Sequence, residues 1–131
     1  MNATSTSTGT GRTPATIFVV DDEPLVLELA LAALQPRGFK VRTFLDPNQA
    51  LQEFPAVCPA VVVTDYAMGR MNGLDLAREC RRLNPRQKIL LLSATVDEAI
   101  YRDAAVKPDR FLAKPFQIGD FVELVERLAE P

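Results

Sequence analysis

Thr16-Ile17-Phe18-Val19-Val20 is an apolar, β-branched run with no polar alternation, and it stops at Asp21-Asp22. Such a run suits a strand buried on both faces of a parallel sheet, because a strand with one wet face alternates. Pro24 fits the first turn of a helix, and 25–35 is rich in Leu and Ala until Pro36 and Gly38 end it. A second strand, more polar and so nearer an edge, is expected over 40–44. Asp46 can cap a short helix with Pro47 at its first position and 49–54 following, before Pro55 and Pro59 break the chain. Val61-Val62-Val63-Thr64 is a third strand, ending at Asp65. The segment 67–73 is turn-like, and 74–84 spaces Leu76, Ala77, Cys80 and Leu83 as one helical face. A fourth strand over 88–92 ends at Ser93, a helix is expected over 97–105, and a fifth strand over 110–113 ends at Lys114-Pro115. A last helix over 117–129 places Ile118, Phe121, Val122, Val125 and Leu128 on one side. Strict alternation of five strands with five helices implies an α/β fold, with a parallel sheet, right-handed crossovers and helices on both faces.

A chain of 131 residues has room for one such domain, expected over 16–131, preceded by a disordered Ser/Thr-rich leader over 1–15. The leader lacks the apolar core of a signal peptide, and no later run approaches the length of a membrane span, so a soluble, cytoplasmic protein with no membrane contact is expected. Cys58 and Cys80 lie in no metal-type spacing and are taken as reduced packing or surface residues. A formal charge of -2 gives no electrostatic reason to expect direct nucleic-acid binding. The chain holds no histidine, which excludes Ser-His and Cys-His nucleophile systems and His-zinc sites. Its chemistry has to run on Asp, Glu, Lys, Ser or Thr.

In open parallel sheets ligands bind beyond the carboxyl ends of the strands, where the strand order reverses. Four strands end there in polar residues: Asp21-Asp22, Asp65, Ser93 and Lys114. Three carboxylates gathered together raise each other's pKa unless a cation joins them, which calls for a hard divalent ion such as magnesium. A carboxylate nucleophile, a divalent ion, an ammonium and a hydroxyl are what phosphoryl transfer needs, since its transition state spreads charge over three equatorial oxygens.

Four segments carry a resemblance: Val20-Asp21-Asp22-Glu23, then 65–73 (Asp-Tyr-Ala-Met-Gly-Arg-Met-Asn-Gly), then Leu92-Ser93-Ala94, and Phe111-Leu112-Ala113-Lys114-Pro115-Phe116. In this order and spacing the chain resembles the receiver domains of two-component response regulators, over roughly residues 16–129. The resemblance implies a single doubly wound, flavodoxin-like five-stranded parallel sheet of strand order 2-1-3-4-5. It implies that Asp65 is the phosphoacceptor, and that Asp22, Asp65 and the backbone carbonyl of Ala67 bind magnesium or manganese while Asp21 holds a metal-bound water. Lys114 would pair with the phosphoryl oxygens, ahead of a Lys-Pro bond that the family usually keeps cis. Ser93 fills the place of the switch hydroxyl and Phe111 that of the switch aromatic. On phosphorylation Ser93 would be drawn toward the phosphoryl group and the Phe111 ring would turn inward, changing the surface of the fourth helix, fifth strand and fifth helix.

The function so implied is a phosphorelay switch, regulatory rather than enzymatic beyond self-catalysed phosphorylation and dephosphorylation. A histidine kinase or histidine phosphotransfer protein would be the donor. The output would be a downstream protein target or a linked domain, with a phosphorylation-dependent homodimer through the fourth helix, fifth strand and fifth helix left open. Two alternatives stand beside it. A pseudo-receiver would keep the fold as a constitutive binding module, and a phosphohydrolase would typically carry a second Asp two residues after its nucleophile, where this chain has Ala67.

The chain departs from the family pattern at Gly69, where proline is usual and the loop leaving Asp65 should be looser, and over 104–109, which replaces a Gly-Ala pair and leaves the extent of the fourth helix open. Ala67 and Thr95 stand two residues after Asp65 and Ser93, at positions that in the family influence how fast water reaches the acyl phosphate. The basic run of Arg78, Arg81, Arg82, Arg86 and Lys88 is expected to be a solvated face near a helix C-terminus.

Overall fold

A computed structural model of the chain describes residues 14–69, 71–94, 102 and 104–131. Five strands form one sheet: β1 (Thr16–Val20), β2 (Lys40–Phe44), β3 (Val61–Asp65), β4 (Lys88–Ser93) and β5 (Arg110–Ala113). Among the described residues these helices accompany them: α1 (Pro24–Leu34), α2 (Pro47–Val57), α3 (Gly73–Leu83) and α4 (Ile118–Ala129). The sheet order is β2-β1-β3-β4-β5, as the resemblance implies, and every pairing is parallel, as the alternation of strands and helices requires.

The unalternating runs are covered on both faces, as their composition requires. Ile17 and Val19 of β1, Val61 and Val63 of β3, and Leu90 and Leu92 of β4 form one core with Leu27, Ala30 and Leu34 of α1 and Phe121 and Val125 of α4. Phe18, Val20, Val62 and Ile89 point the other way, onto Ala50 and Phe54 of α2 and Leu76, Ala77 and Cys80 of α3. Phe18 lies against Phe44 with ring centroids 4.8 Å apart and interplanar angle 59°, a tilted pairing favoured over a face-to-face sandwich. Removing each of the Val, Leu, Ile and Phe side chains among these from water contributes about 1.5–3 kcal/mol. β2 is an edge strand, mostly exposed apart from Phe44.

Several boundaries differ from the sequence reading for physical reasons. α2 runs through Pro55 to Val57 instead of breaking there, and it ends at Cys58, whose φ is 52° and whose N–H donates to the Phe54 carbonyl. A proline in the last turn forfeits only its own N–H bond to the preceding turn, which the rest of the helix tolerates. At the other end Asp46 caps α2 as expected, accepting from the Asn48 N–H at 2.9 Å. Leu83 and Ile118, both placed on the apolar faces of their helices, are 46% and 38% exposed, Leu83 as the last residue of α3 and Ile118 as the first of α4. The helix expected over 97–105 and Thr95 lie outside the described residues, apart from 102, which is helical, and 104 and 105, which are not. The leader, expected over 1–15, likewise lies outside them except at its last two residues.

Arg81 departs from the solvated basic face. Its guanidinium donates to the Gln87 carbonyl, the Lys107 carbonyl and Asp109 Oδ2, the last at 2.7 Å. Asp109 Oδ2 also accepts the Ile89 N–H at 2.7 Å, so this pair ties α3 to the lead-in of β5. Arg78 and Arg82 do lie at the surface, beside Asp75 and Glu79.

Candidate functional site

The sheet's hydrogen bonding continues past the strand ends and sets where each polar residue stands. Asp21 follows β1 directly, and its N–H donates to the Phe44 carbonyl at the end of β2, at 3.1 Å. Asp65 closes β3 opposite Leu92, and the Tyr66 N–H donates to the Leu92 carbonyl at 2.8 Å. Ser93 closes β4 opposite Ala113, and the Lys114 N–H donates to the Ser93 carbonyl at 2.8 Å. Three neighbouring strand ends therefore deliver Asp21, Asp65 and Ser93 side by side, with Lys114 arriving from the fourth.

The loop leaving Asp65 is equally constrained. Gly69 has φ of +78°, a conformation closed to proline, whose ring holds φ near −65°. The loop thus takes a turn that the family's usual proline could not. It returns to α3 at Gly73, where an added Cβ would lie 2.4 Å from the Asp65 carbonyl oxygen. The Asn72 side chain accepts from the Asp75 N–H at 2.8 Å, and Asp75 accepts the Asn72 N–H at 3.2 Å, a reciprocal cap that anchors the start of α3.

Carboxylate oxygens of Asp21, Asp22 and Asp65 lie within 4.8 Å of one another. Asp21 is wholly buried and Asp65 is 6% exposed, whereas Asp22 faces solvent. Lys114 Nζ sits among them, 2.9 Å from Asp21 Oδ2 and 3.2 Å from Asp65 Oδ1. Burial pushes the Asp21 carboxyl above the usual range, against the Glu23 N–H and the Lys114 ammonium, which favour its charge. Burial likewise raises Asp65, helped by the charge on Asp21 and opposed by Lys114. Burial works against the Lys114 ammonium, but its bonds and attraction to Asp21 and Asp65 outweigh that and raise its pKa.

One ammonium cannot neutralise three carboxylates, two of them out of water, so the donor set fits a small divalent cation that prefers oxygen ligands. Both oxygens of Asp21 are engaged, Oδ2 by Lys114 and Oδ1 by the Glu23 N–H at 3.0 Å. Asp22 and Asp65 are the better placed to ligate directly.

A cleft of about 450 Å³ opens above this group, lined by Asp22, Glu23, Asp65, Tyr66, Ala67, Ser93, Ala94 and Lys114. Of the residues singled out from the sequence, Asp21, Asp22, Asp65, Ala67, Ser93 and Lys114 are brought together at this edge. Phe111 is not among the lining residues; it is half-buried in β5, paired in register with Leu91. The Lys114-Pro115 bond is cis. Glu23 was not assigned a role from sequence, yet its Oε1 lies 3.2 Å from Lys114 Nζ. The one hint was a third carboxylate directly after the acidic pair.

Comparison with known proteins agrees with this geometry. Residues 17–126 match the family described as the response regulator receiver domain. Over 111 residues the chain is 35% identical to the probable transcriptional regulatory protein TcrX of Mycobacterium tuberculosis, covering 83% of this chain and 47% of that protein. It is 31% identical to the DNA-binding transcriptional regulator NtrC of Salmonella typhimurium, covering 85% of this chain and 24% of that one. The chain therefore spans half or less of these two relatives, while it covers 97% of the chemotaxis protein CheY of Thermotoga maritima at 25% identity. Among solved structures, the response regulator TrrA of Thermotoga maritima in complex with Mg(2+)-BeF superposes with a TM-score of 0.78 at 31% identity, covering 87% of this chain and 98% of that one. Fold, strand-end cluster and sequence relationship converge: the chain belongs to the response-regulator receiver family.

Proposed function

We propose that this chain is a phosphorylation-operated switch whose phosphoacceptor is Asp65. The observation that carries the reading is the meeting of Asp65 with Lys114, Asp22 and Ser93 in one cleft at the carboxyl edge of the sheet. The phosphoryl donor is a phosphohistidine on a histidine kinase or histidine phosphotransfer protein, a group that these 131 residues, which include no histidine, do not themselves supply.

A carboxylate oxygen of Asp65 forms the bond to phosphorus as the phosphorus–nitrogen bond of the donor breaks, and the departing imidazole keeps the electron pair. Lys114, already 3.2 Å from Asp65, turns to the phosphoryl oxygens and offsets the charge that arrives with them. Asp22, Asp65 and the Ala67 carbonyl would hold a magnesium or manganese ion, with Asp21 holding a water on it. When bound, the ion neutralises the carboxylates and steadies the equatorial oxygens in transfer. Ala67 has only a methyl group where a phosphohydrolase would need an acid to protonate a leaving group, so transfer stops at the aspartyl phosphate until water removes it.

The phosphoryl group brings about −1.5 to −2 charges and strong acceptor oxygens. The Ser93 hydroxyl, 2% exposed and at the end of β4, is the donor placed to move toward them. That movement frees space for the Phe111 ring on neighbouring β5 and alters the surface offered to a downstream target, a linked output domain or a second copy of the chain.

The test is intact-mass measurement after incubation with phosphoramidate and magnesium. One phosphoryl adduct is expected in the native sequence and none in Asp65→Asn or without metal. An equal adduct in Asp65→Asn would overturn the assignment.

A further inference from the structure

Lys114 has three N–H donors, and in this structure all three face carboxylates: Asp21 at 2.9 Å, Glu23 at 3.2 Å and Asp65 at 3.2 Å. For Lys114 to receive a phosphoryl oxygen, one of these partners has to let go. Asp21 cannot do so readily, because it is wholly buried and its other oxygen is already bonded to the Glu23 N–H. Asp65 is the group that reacts. Glu23 is different: its side chain is 64% exposed and stands at the rim of the cleft.

An acidic residue at a helix start is ordinarily explained by capping. Glu23 is the N-cap of α1, yet its side chain makes no capping hydrogen bond and turns instead to Lys114. The backbone at this position is extended, with φ −99° and ψ 111°, and its N–H is held by Asp21 Oδ1.

We infer that Glu23 is a positioning residue that competes with the incoming phosphoryl group for Lys114 and so limits the rate at which anionic donors phosphorylate this domain. The inference rests on the reading of Asp65 as phosphoacceptor. With its carboxylate in place, Glu23 occupies one Lys114 donor and adds a negative charge to the mouth through which the donor enters. A donor has to displace that carboxylate into solvent before Lys114 can stabilise the transferring group. The transfer itself is unchanged: the bond from Asp65 to phosphorus forms, the bond from phosphorus to the donor's leaving group breaks, and the leaving group takes the electron pair.

The experiment follows adduct formation by intact mass at saturating magnesium and limiting donor, using acetyl phosphate, a dianion at neutral pH, and the less charged phosphoramidate. Because a glutamine carbonyl can still accept from Lys114, Glu23→Ala is measured beside Glu23→Gln. Glu23→Ala is expected to react roughly twofold to fivefold faster with acetyl phosphate, the range set by loss of one partly exposed ion pair. The gain with phosphoramidate is expected to be smaller, and that of Glu23→Gln to fall between alanine and the native sequence. A merely structural role would move both donors alike. Native protein that forms the Asp65 adduct while Glu23→Ala shows no gain, or an equal gain with both donors, overturns the inference alone. Native protein that forms no adduct at Asp65 overturns the inference together with the reading beneath it.

Discussion

Replacing Gly73 by alanine should damage the fold and the site together. The added Cβ would lie 2.4 Å from the Asp65 carbonyl oxygen and 2.7 Å from Leu91 Cδ1, where ordinary van der Waals contact begins near 3.4 Å. About 1 Å has to open between the start of α3 and the end of β3. The Leu91 methyl can rotate, but the carbonyl belongs to backbone that the Tyr66 N–H bond to Leu92 holds in the sheet. The retreat falls on α3, whose Gly73 N–H donates to the Tyr66 carbonyl at 2.8 Å. Overpacking costs about 1–3 kcal/mol and the weakened hydrogen bond about 1 kcal/mol. The better helix propensity of alanine returns at most about 1 kcal/mol. The expected loss is roughly 1–4 kcal/mol, a fall in Tm of about 4–16 °C for a domain of this size. Gly119→Ala is the matched control, in the first turn of α4 with nothing within 4 Å of the new Cβ, and should be neutral to stabilising. Thermal unfolding of both variants measures the difference, and the rate of phosphoryl adduct formation should fall in Gly73→Ala because the retreating start of α3 pulls, through the Gly73 N–H bond to the Tyr66 carbonyl, on the segment that lines the cleft beside Asp65. A Gly73→Ala protein as stable as Gly119→Ala would refute the close-approach reasoning.

Burial raises the carboxyls of Asp21 and Asp65 in the folded protein. The folded state therefore binds their protons more tightly than the unfolded state, and their effect on stability worsens as pH climbs from the ordinary carboxylate value of 3.8 through the raised folded values. Asp65→Asn should gain stability over the native sequence as pH rises toward neutrality in metal-free buffer, and a denaturant titration with no such pH-dependent gain would contradict this. Magnesium at a hundredfold excess over its Kd should return about 2.7 kcal/mol to the native protein and far less to Asp65→Asn. Cys80 is 2% exposed and burial pushes its thiol up to about 12, whereas Cys58 is exposed. A thiol reagent at neutral pH should titrate one cysteine quickly and the second only on unfolding; two fast thiols would show that Cys80 is not packed as described. Asp109→Ala leaves the Ile89 N–H and the Arg81 guanidinium without their shared acceptor and should cost about 1.5–3 kcal/mol by denaturant midpoint, where an unchanged midpoint would refute the latch.

The strands were legible because their sequences answer a physical demand directly. A run such as Ile17-Phe18-Val19-Val20 has no polar face to offer, so helices must cover both sides, and once the sheet is parallel the carboxyl ends of its strands gather Asp21, Asp65, Ser93 and Lys114. The continuation of α2 through Pro55 was less visible, since whether a proline ends a helix depends on how many turns remain to be satisfied beyond it. Arg81 looked like one cation among five, and only the arrival of Asp109 and the Lys107 carbonyl from a distant segment distinguishes it. Lys114 was legible as a charge near Asp65 but its partners were not, because the Glu23 contact depends on how the chain turns between β1 and α1. Gly69 was visible as a departure from the family, whereas its positive φ comes from the turn it occupies.

Reductive trapping of the phosphorylated protein tests the central claim most directly. After reaction with a small phosphodonor and magnesium, borohydride converts an aspartyl phosphate to homoserine, and peptide sequencing by mass spectrometry reports which residue changed. Conversion confined to position 65 is the predicted result. Conversion at Asp21 or Asp22, or none in protein that carries the phosphoryl adduct, would contradict the assignment of Asp65 as phosphoacceptor.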